Sequence, residues 1–288
     1  MATVAGVRWA ETTVAVPGAA LWTASAGTGV PLVLAHGGPG LSNTLFPVGE
    51  MVGDLARVHL YDQRGCGRSS TGGPYDVATA IADLEALREH FGHARWLVGG
   101  HSWGAALALF YALEHPERTL GVVYLAGTSI RWDFPDRVRA ARMARLTPDE
   151  RAELDGESDE GRFLQLIWTT DFATREAAEA ALARGPLYEH PRNMTVSRAT
   201  QRDWKRRLDA GIEDDLRALD VPILVLHGEH DPDPVGARAV ADLAPRAAWA
   251  PIAHAGHSPW LERPDELRDR LRPFVAERLR SLPGEPRR

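Results

Sequence analysis

The chain has 288 residues, 44% of them hydrophobic, enough for one large domain or one domain carrying an insertion. A formal net charge of −6 offers no electrostatic footprint for nucleic acid or an anionic membrane, and no apolar run approaches the ~18 residues of a membrane-spanning helix. Cys66 is the only cysteine, which excludes an internal disulfide, and Lys205, the only lysine, lies in a very polar stretch that argues against Schiff-base chemistry.

Strands and helices alternate along the first half. Thr12 to Ala26 reads as an antiparallel edge hairpin turning at Pro17-Gly18. Pro31 to His36 is a short apolar strand that runs into a Gly/Pro turn, and Val58 to Tyr61 is another, followed by Asp62-Gln63-Arg64-Gly65. Asp76 is placed to cap a helix whose stripe is Val77, Ile81, Leu84, Leu87 and Phe91, closed by Gly92. The strand Trp96-Leu97-Val98 leads into a helix from near Ser102, and Val122 to Leu125 forms the next strand, ending at Gly127. Strands separated by helices predict an α/β fold with a mostly parallel central sheet and helices on both faces.

From about residue 130 to 211 strand signals stop and charged helical segments take over. Thr147-Pro148-Asp149-Glu150 has capping-box spacing with proline at the first helical position. Strands resume at Val221 to His227 and Trp249 to Ile252. A final helix runs from Pro264, with Leu267, Leu271, Phe274 and Leu279 on one stripe and a kink expected at Pro273. The expected organisation is therefore a core of 1–129 and 212–288 with a helical cap, 130–211, inserted between its halves. The tail Pro283 to Arg288 is expected to fray. With no basic segment followed by an apolar run near the N-terminus, no signal peptide is expected and a cytoplasmic location is the default.

Gly100-His101-Ser102-Trp103-Gly104 has the form G-x-S-x-G, between a hydrophobic strand and an Ala/Leu-rich helix. A nucleophile there sits on a sharp, strained turn above the sheet edge, and the flanking glycines remove side chains that would collide. The Trp103 N–H, at the positive end of the helix, points at the same space. A serine hydroxyl needs a base to take its proton, and the base needs a third group to orient it. Asp231, in His227-Gly228-Glu229-His230-Asp231, and His257, in Ala255-Gly256-His257-Ser258-Pro259-Trp260, each follow a predicted strand, in the order Ser, Asp, His that this topology requires. The glycines of His36-Gly37-Gly38-Pro39-Gly40 let backbone N–H groups approach a substrate oxygen.

Together the segments HGGPG at 36–40, DQRGCGRS at 62–69, GGHSWG at 99–104, HGEHD at 227–231 and AGHSPWLE at 255–262 resemble the proline iminopeptidases of the α/β-hydrolase superfamily. The resemblance covers about 30–128 and 215–280 in motif order. It implies Ser102 as nucleophile, Asp231 as triad acid, His257 as base and an oxyanion hole from the Gly38 and Trp103 N–H groups. It implies a serine hydrolase acting through an acyl-enzyme on a small ester, amide or short peptide, with release of N-terminal proline or another amino acid as one case, and with no metal or organic cofactor. The cap departs from the family: the acidic motif that would hold a free amine is not recognisable. The carboxylates there are Glu157, Asp159, Glu160, Asp171 and Glu189.

Substrate contacts are expected from Gly37, Trp168, Phe172 and Trp260. Trp132, Phe134, Phe163 and Tyr188 are further candidates to line a pocket or to form the cap's own core. Asp233 and Glu229 compete with Asp231 for the acid role. His36 and His101 read as structural, Arg64 as a tie between loops, and Cys66 as a small buried residue. Arg139, Arg142 and Arg145 read as a solvated helix face rather than a carboxylate site. Two other classes compete. One is a metal-dependent hydrolase built on His227, His230, Asp231, His254 and His257, whose His-x-x-His spacings suit zinc. The other is a non-catalytic receptor for a small ligand on the same fold.

Overall fold

The computed structural model describes every residue except 1, 2, 5, 6, 156–159, 186 and 281–288, and only the backbone of 3, 4, 155 and 160. Glu157, Asp159 and the predicted frayed tail lie outside the described residues, as does the side chain of Glu160.

Eight strands form one sheet: β1 (Ala10–Val16), β2 (Ala19–Ala26), β3 (Val30–Ala35), β4 (Ala56–Tyr61), β5 (Trp96–His101), β6 (Thr119–Leu125), β7 (Ile223–Gly228) and β8 (Ala247–Ile252). Their spatial order is β8-β7-β6-β5-β3-β4-β2-β1. The hairpin β1–β2 pairs antiparallel, with Val16 opposite Ala19 across Pro17-Gly18, and occupies one edge as its turn signal predicts. β2 joins β4 antiparallel, and every pairing from β4 through β8 is parallel. A separate two-stranded ribbon, Thr3–Val4 with Val7–Arg8, precedes the sheet.

The central strands are apolar on both faces because both faces are covered. On one side Val33, Val98, Val122, Tyr124 and Val225 meet helices α1 (Val77–His90) and α2 (Trp103–Glu114). On the other, Leu32, Leu34, Leu97, Val123 and Leu226 meet a final helix spanning Pro264–Arg280 through Leu267, Leu271 and Val275. The Asp76 carboxylate accepts the Thr79 N–H at 2.8 Å, so α1 starts where its cap was read, and Gly92 at φ 73° closes it. The final helix runs through Pro273 as one element.

Between β6 and β7 the chain forms five longer helices: α3 (Phe134–Arg145), α4 (Pro148–Asp155), α5 (Glu160–Asp171), α6 (Arg175–Leu182) and α7 (Met194–Asp209). The capping box at the start of α4 is made in both directions: the Thr147 N–H donates to Glu150 and the Glu150 N–H donates to the Thr147 hydroxyl. Thereafter come α8 (Arg238–Leu243) and α9, the Pro264–Arg280 helix just described. Among the described residues no helix is long and apolar enough to cross a membrane.

Candidate active site

The carboxyl ends of β3, β5, β6, β7 and β8 deliver five loops to one edge of the sheet, where open parallel sheets gather ligands. Ser102 sits between β5 and α2 with φ 56° and ψ −118°, a conformation strained for any residue with a side chain. The flanking glycines make that turn possible by close approach. A Cβ on Gly100 would lie 2.3 Å from the Gly104 backbone, and one on Gly104 would lie 2.1 Å from the Ala35 carbonyl oxygen. Trp103 is the first residue of α2, so its N–H has no partner inside the helix. Its indole Nε1–H donates to Gln63 Oε1 at 2.8 Å.

Gln63 is the hub behind the glycine loop, a role its sequence position does not announce. Its N–H donates to His36 Nε2 at 2.9 Å and its side-chain amide donates to the His36 carbonyl at 2.8 Å. His36 Nδ1–H in turn donates to the Gly37 carbonyl at 2.7 Å. Burial holds the His36 imidazole below its ordinary pKa, so it is a neutral spacer. Buried Asp62 holds Arg68 and accepts the Asn43 N–H, and Arg64 pairs with buried Asp83 at 2.6 Å, fixing the loop after β4. Cys66 is buried in that loop, and desolvation pushes its thiol up to about 12.

Asp231 follows β7 and is buried; His257 follows β8. Their side chains meet at 2.6 Å, Asp231 Oδ2 to His257 Nδ1. Asp231 also accepts the Asp233 N–H at 2.8 Å. Burial alone would raise the Asp231 carboxyl, but the charges of His257 and His227 and these hydrogen bonds outweigh it and hold it well below the carboxylate range. Burial alone would lower His257, but the Asp231 carboxylate more than offsets this and raises it. The competitor Asp233 also borders the active-site cavity but pairs with Arg137 at 3.2 Å rather than with His257. His101 is buried and held neutral; its Nε2–H donates to the His257 carbonyl at 2.9 Å.

A cavity of about 440 Å³ opens onto Gly38, Ser102, Asp231 and His257. Its apolar wall comes from Trp132, Phe134 and Phe163 of the helical segment and from Trp204 on α7, whose ring lies 4.9 Å from that of Trp103. None of the four expected contacts, Gly37, Trp168, Phe172 and Trp260, borders it. Trp168 packs on Tyr188, ring centroids 4.9 Å apart; Phe172 is buried beneath the loop of His257; and Trp260 stands edge-on to His101 at 4.7 Å. Gly37 backs onto the His101 ring rather than the cavity.

The arginine reading holds for Arg139 and Arg145, which are exposed, and is corrected at Arg142. Arg139 and Arg142 border the cavity, Arg142 forms two hydrogen bonds to Asp171 at 2.9 and 3.0 Å, and Arg145 donates to the carbonyls of Thr170 and His230. Helical spacing shows which residues share a face, but not the carboxylate that arrives from another helix. The His/Asp set of the metal alternative is dispersed. His227 Nε2 is occupied by the Asp233 carbonyl at 3.0 Å, and His230 and His254 stack on the surface 6.0 Å apart. Among the described residues no three His, Cys, Asp or Glu side chains are grouped to hold a metal ion.

A strained serine elbow, a buried Asp–His pair and a glycine loop converging at the carboxyl ends of a parallel sheet define the hydrolase class of α/β scaffolds. The chain belongs to the family described as alpha/beta hydrolase fold, whose model matches residues 30–264. The proline iminopeptidase of Neisseria gonorrhoeae is 45% identical over 101 residues, which span 33% of this chain and 32%, about a third, of that protein's length. The proline iminopeptidase of Lactobacillus helveticus is 29% identical over 257 residues, covering 82% of this chain and 86% of its own. Among solved structures, a thermophilic esterase from Thermogutta terrifontis superposes with a TM-score of 0.71 at 25% identity, over 94% of this chain and 99% of that one.

Proposed function

We propose that this protein is a serine hydrolase that cleaves a small ester or amide by two-step acyl transfer. His257 removes the Ser102 proton as the hydroxyl attacks the substrate carbonyl. The Gly38 and Trp103 N–H groups stabilise the oxyanion, and His257 then protonates the leaving group. Water, activated by the same imidazole, releases the acyl group. Asp231 holds the Nδ1–H tautomer and stabilises the cation. The observation that carries this reading is the 2.6 Å Asp231–His257 contact beside the cavity that exposes Ser102.

Residues 130–211 act as a cap over the site, inserted into a core of 1–129 and 212–288. The cap aromatics favour an apolar acyl or leaving group. The relatives named proline iminopeptidase make N-terminal proline release one case of this chemistry. That case needs carboxylates for the substrate ammonium, and two described candidates are already paired with arginines: Asp171 with Arg142, and Asp233, which borders the cavity, with Arg137. Exposed Glu189 does not border the cavity.

Three measurements test the proposal. A fluorophosphonate should label wild-type protein and fail to label Ser102→Ala, whose turnover should drop by several orders of magnitude, on the order of 10⁶. Residual activity within tenfold of wild type would remove Ser102 from the mechanism. A free prolyl amide and its N-acylated counterpart should be cleaved comparably. Strong preference for the free amine would make the protein an aminopeptidase instead.

A further inference from the structure

We propose that Glu262 is a positioning residue for His257, its carboxylate clasping the end of α5 to the loop that carries the histidine. The inference rests on the serine-hydrolase reading above. Glu262 Oε2 accepts the Gly256 N–H and Oε1 accepts the Ala173 N–H, both at 2.7 Å. Alongside this bridge, the His257 N–H donates to the Asp171 carbonyl at 2.6 Å. The two stretches of backbone touch so closely that a Cβ on Gly256 would lie 2.1 Å from the Asp171 oxygen.

A carboxylate suits this junction because both partners are donors. An amide would turn its NH₂ against one of them. The far side of the same segment is tied by Arg145, which donates to the Thr170 carbonyl at 2.6 Å and to the His230 carbonyl at 2.8 Å, next to Asp231. Thr170–Ala173 is thus a splint between the loop of the acid and the loop of the base. Glu262 does not border the active-site cavity, so it acts through His257 rather than on substrate. The groups facing the imidazole are Asp231, Asp171, Arg142 and the His101 ring 4.6 Å away. Releasing the clasp lets His257 drift from Asp231, the partner that raises it.

The test is turnover of a small neutral ester per fluorophosphonate-reactive site in Glu262→Gln and Arg145→Met, with melting temperatures and the acid limb of the pH profile. Glu262→Gln should lower kcat about tenfold to a hundredfold, the scale of a misplaced catalytic group, with KM unchanged and the acid limb moved to lower pH. Arg145→Met, on the exposed side, should show the same pattern with a smaller loss, and it decides alone if Glu262→Gln does not fold. Wild-type turnover per reactive site with a wild-type acid limb in the folded variants would overturn the clasp. A wild-type protein that takes no label at Ser102 would instead overturn the serine-hydrolase reading, and the clasp with it.

Discussion

His257 lies between the carboxylate of Asp231 and the elbow of Ser102, and its protonation state sets the pH range of the reaction. A base works in its neutral form, and Asp231 raises this imidazole above the ordinary 6.5 despite its burial. kcat/KM should therefore fall on acidification through a midpoint above pH 6.5. A midpoint below that value would show that the carboxylate does not govern the base. Asp231→Asn should cost on the order of 10⁴ in turnover, as loss of a triad acid does in a serine protease, and Asp233→Asn far less because Asp233 serves Arg137. Steady-state rates of the two variants check this, and a reversed order would reassign the acid. At this scale the sequence reading chose Asp231 over Asp233 from its place just past a strand. It misread Arg142 because the partner carboxylate is 29 residues away, on another helix.

Elements were legible wherever a pattern had one dominant cause. The strands are short apolar runs bounded by glycine and proline, and α1 carries its cap and its stripe in register. The short helix Phe46–Glu50 was not read, since Leu45 before it makes no side-chain cap and only Val48 and Gly49 on it are buried. Boundaries within 130–211 also escaped, apart from the capping box that opens α4. The final helix deviates in another way. Pro273 is exposed yet interior to α9, where it withholds an N–H from the carbonyl four residues back. Pro273→Ala should stabilise the protein by about 1–3 kcal/mol. Denaturant unfolding measures this, and a loss of stability would mean that a bend at Pro273 is needed for packing on the sheet.

For the molecule as a whole, topology explains why five sequence-distant segments could be assembled in advance: each follows a strand, and parallel strands end on one side. Where the helical segment meets the core was not legible, and so Trp168 and Phe172 were expected at the substrate and Trp204 was not singled out, whereas Trp132, Phe134 and Phe163, read as candidates, do border the cavity. The one thiol of the chain offers a way to watch that whole. Cys66 is buried and its ionisation is pushed up to about 12, so the native molecule presents almost no thiolate near neutral pH. Iodoacetamide should leave the folded protein unmodified and add a single adduct once it unfolds, read by intact mass, and rapid alkylation of the native state would contradict the buried placement. The rate of adduct formation then becomes a clock for spontaneous opening. It also means that cysteines introduced on α3 and the core surface could carry a pair of dyes without first removing Cys66, making the distance between the two layers measurable in a molecule that is otherwise silent to thiol reagents.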